Sequence, residues 1–517
     1  MGDRPLLVGL DAGTGRIRAL AFEPDGGAVV AEAGEPTPIV QPRPGWAHHE
    51  PEALWRAAAS ALRALAAKLG DSARRVAGIA VASVGETGVP LDGRDEPTHP
   101  AIAWFDARTR DQLDRLLATV GADRLHALTG LAPDPTFGLC KLLWLRENEP
   151  EAFGRTRRWL HVSDYLAWRL SGVGATDYSL ASRTLALDLR GLRWADEFLA
   201  EQGVPAGLFA PLAPSGTRLG GVTAEAARAT GLPEGCAVGV GGHDHICGAL
   251  AVGALEPGVL LDSMGTAEAL TLAIDRPSAD PVLGRRGYSQ GAVGVPGRRP
   301  VFYVFGGLLT SGACVEWFRR LVGGGDVPYA ELIAEAEAVP PGSHGTYFLP
   351  AMGVRVSPDP DPAARGAFLG LAADAGRGML FRAVLEGLAY EARAVVDVLR
   401  EVPDLPEVRA VRAIGGNTRN ALLLRIKAAA YGRPLAVVET AEASSLGAAL
   451  LGGLAAGVFP DLPAALAALR PAEREVGPDP AWAAAYDARY RGVYRGAYPR
   501  LRPLHEAARE VEARGGA

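Results

Sequence analysis

Asp244 lies in the run Gly241-Gly242-His243-Asp244-His245-Ile246-Cys247-Gly248-Ala249, an aspartate set in a glycine-rich turn. Its small neighbours leave the carboxylate at the end of a strand with little beside it to keep a substrate away. Two related segments flank it: Asp11-Ala12-Gly13-Thr14 near the N-terminus and Asp262-Ser263-Met264-Gly265-Thr266 soon after. An Asp-x-Gly-Thr opening, echoed once with one extra residue, is what a duplicated phosphate-cradling hairpin leaves in sequence. Gly13 lets backbone amides approach phosphate oxygens, and Thr14 adds a hydroxyl donor. Asp11 would repel phosphate directly, so Mg²⁺ with its waters is expected between them. Arg18 adds positive charge against phosphate. Two phosphate turns with an isolated carboxylate between them point to phosphoryl transfer from a nucleotide to a hydroxyl. Asp244 would take the alcohol proton as general base.

Plainer readings of the same residues stand beside this one. Asp11 could do no more than cap a tight hairpin, and Asp244 could be an ordinary turn aspartate. His243-Asp244-His245 could hold a metal, since alternation along a strand would set both histidines on one face. No further His, Cys or acidic cluster nearby in sequence completes a shell.

A chain of 517 residues is too long for one core and implies two large domains. A composition 48% hydrophobic and 22% charged is that of an ordinary globular protein, and a net charge of −6 leaves no basic excess for nucleic acid. Lys68, Lys141 and Lys427 are the only lysines, and no Walker-type lysine motif occurs. Cys140, Cys236, Cys247 and Cys314 are far apart, without a CxxC pair. With no secretory leader ahead of Leu6, a cytoplasmic protein is expected. The uncharged Ala443–Phe459 stretch is expected to be a buried helix packed closely on a neighbour, not a membrane span.

The elements that must position these residues follow from the pattern. Leu6–Leu10 and Ile17–Phe22 read as strands joined by the Asp11–Gly15 turn, with Asp25-Gly26-Gly27 as the next hairpin turn before Ala28–Ala31. Glu50-Pro51-Glu52 opens an Ala-rich helix ending near Gly70. Val76–Val81 is a buried strand leading into Glu86-Thr87-Gly88. Strands and helices alternate to about Gly253, and the pattern restarts at Val259-Leu260-Leu261. In the second half, helices are expected over Arg377–Arg400 and Ala421–Tyr431, and strands over Val408–Ile414 and Leu435–Val438. The expected division is 1–254, 255–500 and a fraying tail, 501–517.

The ordered set of motifs resembles the FGGY carbohydrate kinases of the actin/heat-shock/sugar-kinase superfamily over roughly residues 5 to 500. It comprises Asp11-Ala12-Gly13-Thr14 with Arg18, Pro44-Gly45-Trp46 with Glu50-Pro51 and Trp55, Trp104-Phe105-Asp106-Ala107-Arg108-Thr109, Lys141-Leu142-Leu143-Trp144 and Thr176-Asp177-Tyr178-Ser179-Leu180-Ala181-Ser182. Gly242-x-Asp244, Gly265-Thr266, Ala364-Arg365-Gly366, Glu386-Gly387 and Gly415-Gly416-Asn417 complete it. The resemblance implies an α/β fold of two actin-like (ribonuclease H-like) domains with a duplicated core, mixed sheets flanked by helices. It implies ATP and Mg²⁺ in the interdomain cleft, with Thr266 and Gly265 near the β/γ-phosphates, Gly416 and Asn420 on the adenosine, and Gly312 lining the same site.

On the acceptor side, Ser83-Val84-Gly85-Glu86-Thr87-Gly88 looks like the Gln-Arg-Glu-Thr of glycerol kinases with the arginine replaced by Gly85. Glu86 would accept hydrogen bonds from substrate hydroxyls. The loss of arginine at Gly85, and Thr136 at the glycerol-kinase tyrosine position, are expected to open the pocket. His245 stands where glycerol kinases have glutamine. Trp104 could be an apolar platform for the carbon face or a core tryptophan. The expected partner is a sugar or polyol, a four- or five-carbon ketose or polyol ahead of glycerol, with no nucleic acid, no membrane and a homodimeric assembly. A non-catalytic sugar or nucleotide sensor of the same superfamily is the alternative.

Overall fold

The computed structural model describes residues 4–324, 326–440 and 442–515. Leu6, Leu7, Val8 and Leu10 are all fully buried, the near-continuous apolar run of a strand covered on both faces. This strand, β1 (Leu6–Ala12), pairs antiparallel with β2 (Arg16–Phe22), which pairs antiparallel with β3 (Val29–Pro36). β4 (Val76–Ser83), β5 (Arg218–Gly221) and β6 (Ala237–His243) complete a sheet ordered β5-β6-β4-β1-β2-β3. β4 runs parallel to β1, and β6 parallel to β4, so β1, β4 and β6 end at the same edge. Helices α1 (Pro51–Leu69) and α2 (Val162–Ser171) share a core with one face of this sheet, and α3 (Asp244–Ala251) follows β6 without a loop.

The second sheet repeats the first. It contains β7 (Val259–Met264), β8 (Glu268–Ile274), β9 (Ser289–Val293), β10 (Val301–Leu308), β11 (Ala410–Ile414), β12 (Leu435–Val438) and β13 (Glu473–Val476), ordered β9-β10-β8-β7-β11-β12-β13. The β10-β8-β7-β11-β12 core matches β3-β2-β1-β4-β6 strand for strand. In both, three antiparallel strands are followed by two parallel ones, and an antiparallel edge strand is added. The duplicated actin-like core expected from the two Asp…Gly-Thr turns is therefore present, each turn joining a sheet's first two strands. Helices α4 (Gly312–Gly323), α5 (Arg377–Glu401) and α6 (Ala421–Tyr431) contribute to the second sheet's core.

Helix α7 (Ala443–Ala455) leaves that body and lies on the first sheet. The approach is so close that a Cβ on Gly9 would sit 1.8 Å from the Ser445 carbonyl oxygen, and one on Gly78 2.2 Å from that of Gly452. Gly447 meets α3 in the same way, its Cβ position 1.9 Å from the Cys247 oxygen. The close packing expected of this Ala/Gly-rich segment is thus realised against the first half of the chain. A joint core of Leu7, Leu20, Ile246 and Leu250 with Leu261, Tyr303, Ile414 and Leu446 ties the two bodies together.

Helix α8 (Arg495–Gly515) carries the chain into the tail, with Tyr498 buried at its start and its hydroxyl donating to Asp361, and the Arg502–Glu506 pair at 3.1 Å along it. Glu50-Pro51-Glu52 opens α1 as expected, with Glu50 at the N-cap position and Pro51 starting the helix. Among the described residues no helix is long and apolar enough to cross a membrane.

Candidate active site

Asp11 arrives at the end of β1 with its Oδ1 buried and without a hydrogen-bond partner. Burial above all, then the negative charges of Asp244 and Glu442, push its carboxyl up to about 8 against the pull of Arg18. Such a carboxylate lacks a cation, and an oxygen left open in that field fits a hydrated Mg²⁺. The turn beyond it is held by Gly13 N–H donating to the Arg16 carbonyl (3.2 Å) and by Thr37 Oγ1 donating to the Gly13 carbonyl (2.7 Å). Thr14 is exposed and accepts from Trp104 Nε1 at 2.9 Å. Trp104 is therefore half-buried at the lip of the first turn and is not a core residue. Arg18 pairs with Glu442, so part of its charge is already engaged.

Asp244 is the first residue of α3, half-buried, with Oδ1 accepting from the His245 amide at 2.6 Å. Burial raises its pKa, partly offset by His245 and that amide. His243 Nε2 lies 3.3 Å from the same oxygen, and the Ser444 hydroxyl donates to the Asp244 carbonyl at 3.1 Å, so α7 braces this turn. The strand ends at His243, so alternation does not set the two histidines on one face: His243 is buried and His245 exposed. Their rings nonetheless lie 5.3 Å apart, and the donor atoms of His243, Asp244 and His245 fall within 4.8 Å of one another. Among the described residues no fourth His, Cys, Asp or Glu joins that group.

The pocket expected to open at Gly85 is filled. A Cβ there would meet Arg183 Cγ at 2.9 Å and His243 Cδ2 at 3.1 Å. Arg183 occupies the space, donating to Glu86 Oε1 through Nε (2.7 Å), with Nη2 paired in charge to the same oxygen at 2.5 Å. Glu86 is buried; its desolvation is outweighed by the charges of Arg183 and Lys141, which hold its carboxyl below the ordinary range. The wholly buried Lys141 also donates to the Glu86 carbonyl at 2.6 Å, fixing the loop that carries it. The donor thought lost at position 85 is thus supplied from position 183, at the end of the Asp177–Ser182 motif. Nothing in the spacing of residues 85 and 183 signals this contact.

Gly312 and Asn417 meet at the second turn. Gly312 N–H donates to the Gly265 carbonyl (3.0 Å), Ser311 and Ala313 amides donate to that of Thr266 (2.9 and 3.1 Å), and Asn417 Nδ2 reaches the Gly265 carbonyl at 3.2 Å. Gly312 has no room for a side chain, since its Cβ would lie 2.7 Å from that same oxygen. Gly416 lies in the following turn and lines a cavity of about 500 Å³ with Gly415, Thr418, Arg419 and Thr440. Asn420 spends its Oδ1 on the Leu423 amide as the N-cap of α6 (3.0 Å).

Beneath this turn lies an ion cluster that sequence reasoning missed. Lys427 Nζ, fully buried, donates to Asp262 Oδ2 (2.6 Å) and Glu268 Oε1 (2.5 Å). Tyr431 donates to Asp262 (2.9 Å) and Ser311 to Glu268 (2.8 Å). Burial pulls the Lys427 pKa down, but the two carboxylates overcome this and hold it above the ordinary lysine range. Asp262, the echo of Asp11, is therefore a structural strut. Lys427, the one charge on the buried face of an apolar helix, was the available signal.

The family models for the N-terminal and C-terminal domains of the FGGY family of carbohydrate kinases match residues 6–251 and 262–456. The chain belongs to the FGGY family of carbohydrate kinases. A glycerol kinase of Gloeobacter violaceus is 33% identical, covering 90% of this chain and 91% of its own length. A xylulose kinase of Bacillus subtilis is 28% identical, covering 88% and 89%. Among solved structures, the xylulose kinase from Rhodospirillum rubrum superposes with a TM-score of 0.85 at 31% identity, over 97% of this chain and all of that one. As an FGGY carbohydrate kinase the protein is a phosphotransferase of sugar-like acceptors.

Proposed function

We propose that this kinase transfers the terminal phosphoryl group of ATP to a hydroxyl of a four- or five-carbon ketose or polyol, with Asp244 as general base. The observation that carries the reading is the pair Asp11 and Asp244, carboxylates from the edge of one sheet close enough to raise the pKa of Asp11. Asp11 would hold Mg²⁺ through its unpartnered oxygen, and the metal when bound would screen phosphate charge. The Gly13-Thr14 and Gly265-Thr266 turns would take the phosphates, with the exposed Thr14 hydroxyl available to them, while Gly312, Gly416 and Asn420 shape the nucleoside side. Glu86, Trp104 and His245 bind and orient the acceptor, and Asp244 removes the hydroxyl proton as the new bond forms. The sensor reading is less favoured, because both carboxylates and both turns are intact.

The preference for four or five carbons does not draw on space at Gly85, which Arg183 fills. It rests on Thr136 and on the number of polar groups (Glu86, Arg183 and His245) that a three-carbon acceptor would leave partly unpaired, each at about 1–3 kcal/mol. Four buried, free cysteines suit the reducing cytoplasm.

An ADP-release assay over glycerol, erythritol, xylitol and D-xylulose tests the assignment. Asp244→Asn should lower kcat at least about 100-fold with ATP affinity nearly unchanged. A variant keeping a tenth of wild-type kcat would place the base elsewhere.

A further inference from the structure

The Glu86–Arg183 pair is unusual for a buried ion pair in being left open. Both guanidinium contacts converge on Oε1, so the two groups do not close into a two-by-two fork. Among the described residues, Arg183 Nη1 makes no hydrogen bond and Glu86 Oε2 accepts from no side chain. The pair is not sealed from solvent either: the side chains retain 15% and 8% of their exposure, beside Asp244 at 23%. An acceptor-only carboxylate and a donor-only guanidinium thus stand side by side next to the candidate base.

Three features fix Arg183 in that place. Gly85 has no side chain because any Cβ would strike Arg183 and His243. The Phe137 ring lies 4.9 Å from the guanidinium carbon on one side. Phe305, on β10 of the second body, lies 5.8 Å from it, and the His245 ring 5.7 Å from Phe305. The guanidinium is therefore held between aromatic groups contributed by both halves of the chain.

We propose that Arg183 is a specificity-determining residue of the acceptor site, forming with Glu86 a donor–acceptor pair that engages two neighbouring oxygens of the acceptor beyond the hydroxyl presented to Asp244. Glu86 accepts from a hydroxyl, and Arg183 donates to the adjacent hydroxyl or carbonyl oxygen, the pattern of a vicinal diol or an α-hydroxy ketone. An acceptor lacking either oxygen leaves one member of the pair desolvated and unmatched, which is how a polar site rejects a deoxy analogue. This inference rests on the reading of the cleft as a kinase acceptor site.

The test measures kcat and KM for the best of glycerol, erythritol, xylitol and D-xylulose, and for its monodeoxy analogues, in wild type, Arg183→Met and Arg183→Lys. In wild type, at least one monodeoxy analogue should be poorer by about 10- to 100-fold in kcat/KM. Arg183→Met should abolish most of that discrimination, mainly through the acceptor KM, with the ATP KM unchanged. Arg183→Lys should recover part of it if Arg183→Met proves unstable. Undiminished discrimination in either variant overturns the role of Arg183 and leaves the kinase reading intact. A wild-type enzyme that phosphorylates no sugar or polyol overturns the kinase reading itself.

Discussion

Removing the charge of Lys427 is the sharpest test of how the second phosphate turn is supported. Lys427→Met would leave Asp262 and Glu268, both buried, with one hydroxyl partner each, Tyr431 and Ser311. Each carboxylate must then stay ionised without a counter-charge or bind a proton. Protonating an ordinary carboxyl of pKa about 4 at pH 7 costs about 4 kcal/mol. Breaking a buried ion pair from one side typically costs about 3–5 kcal/mol, and we expect a loss in that range at pH 7.5. The sign with pH follows from proton linkage. In the variant, the folded state binds protons that the unfolded chain releases above pH about 4, so its stability falls as pH rises. The gap from wild type should therefore be widest at neutral pH and shrink toward pH 5. Urea melts at the two pH values measure it. Adding Asp262→Asn and Glu268→Gln should recover most of the loss, since amides need no counter-charge. A gap below about 1 kcal/mol at pH 7.5, or one unchanged at pH 5, would refute the argument that the cluster is held by charge.

Asp11→Ala should blunt the dependence of turnover on Mg²⁺ and lower kcat; a Mg²⁺ titration at fixed ATP indistinguishable from wild type would reduce Asp11 to a turn residue. Gly9→Ala forces a methyl against the Ser445 carbonyl, a backbone atom that cannot swing aside, and should cost about 1–3 kcal/mol in thermal or urea melts. Gly15→Ala, with nothing within 4 Å of its Cβ position, should stay within about 0.5 kcal/mol of wild type, and equal losses in the two would sink the packing argument.

Much of this was written locally. The Asp11-x-Gly13-Thr14 and Gly265-Thr266 turns announce hairpins because Gly and Asp act within a few residues, and near-continuous apolar runs mark β1, β4 and α6. The convergence of Gly265, Gly312 and Asn417 could be expected from the resemblance, although no spacing dictates it. What was hidden depends on residues distant in sequence. Arg183 filling the space at Gly85 depends on the path of the intervening lobe. The cation facing Asp262 lies on a helix more than a hundred residues away, so Asp11 and Asp262 look alike in sequence and differ in surroundings. The Arg-, Glu- and Ala-rich composition of the tail does not itself announce α8, whose start is held by the buried Tyr498.

Helix α7 has a consequence for biosynthesis. It covers the face of β1 and β4 on which Gly9 and Gly78 allow its backbone to come close, yet it is made after nearly all of the second body. During translation the first sheet must wait, one face bare, until the ribosome reaches Ala455. A cut between the two family-model matches, at residues 252–261, would separate that sheet from its cover. The division of this chain into two matched halves is thus one of sequence, and its first half does not complete its own core.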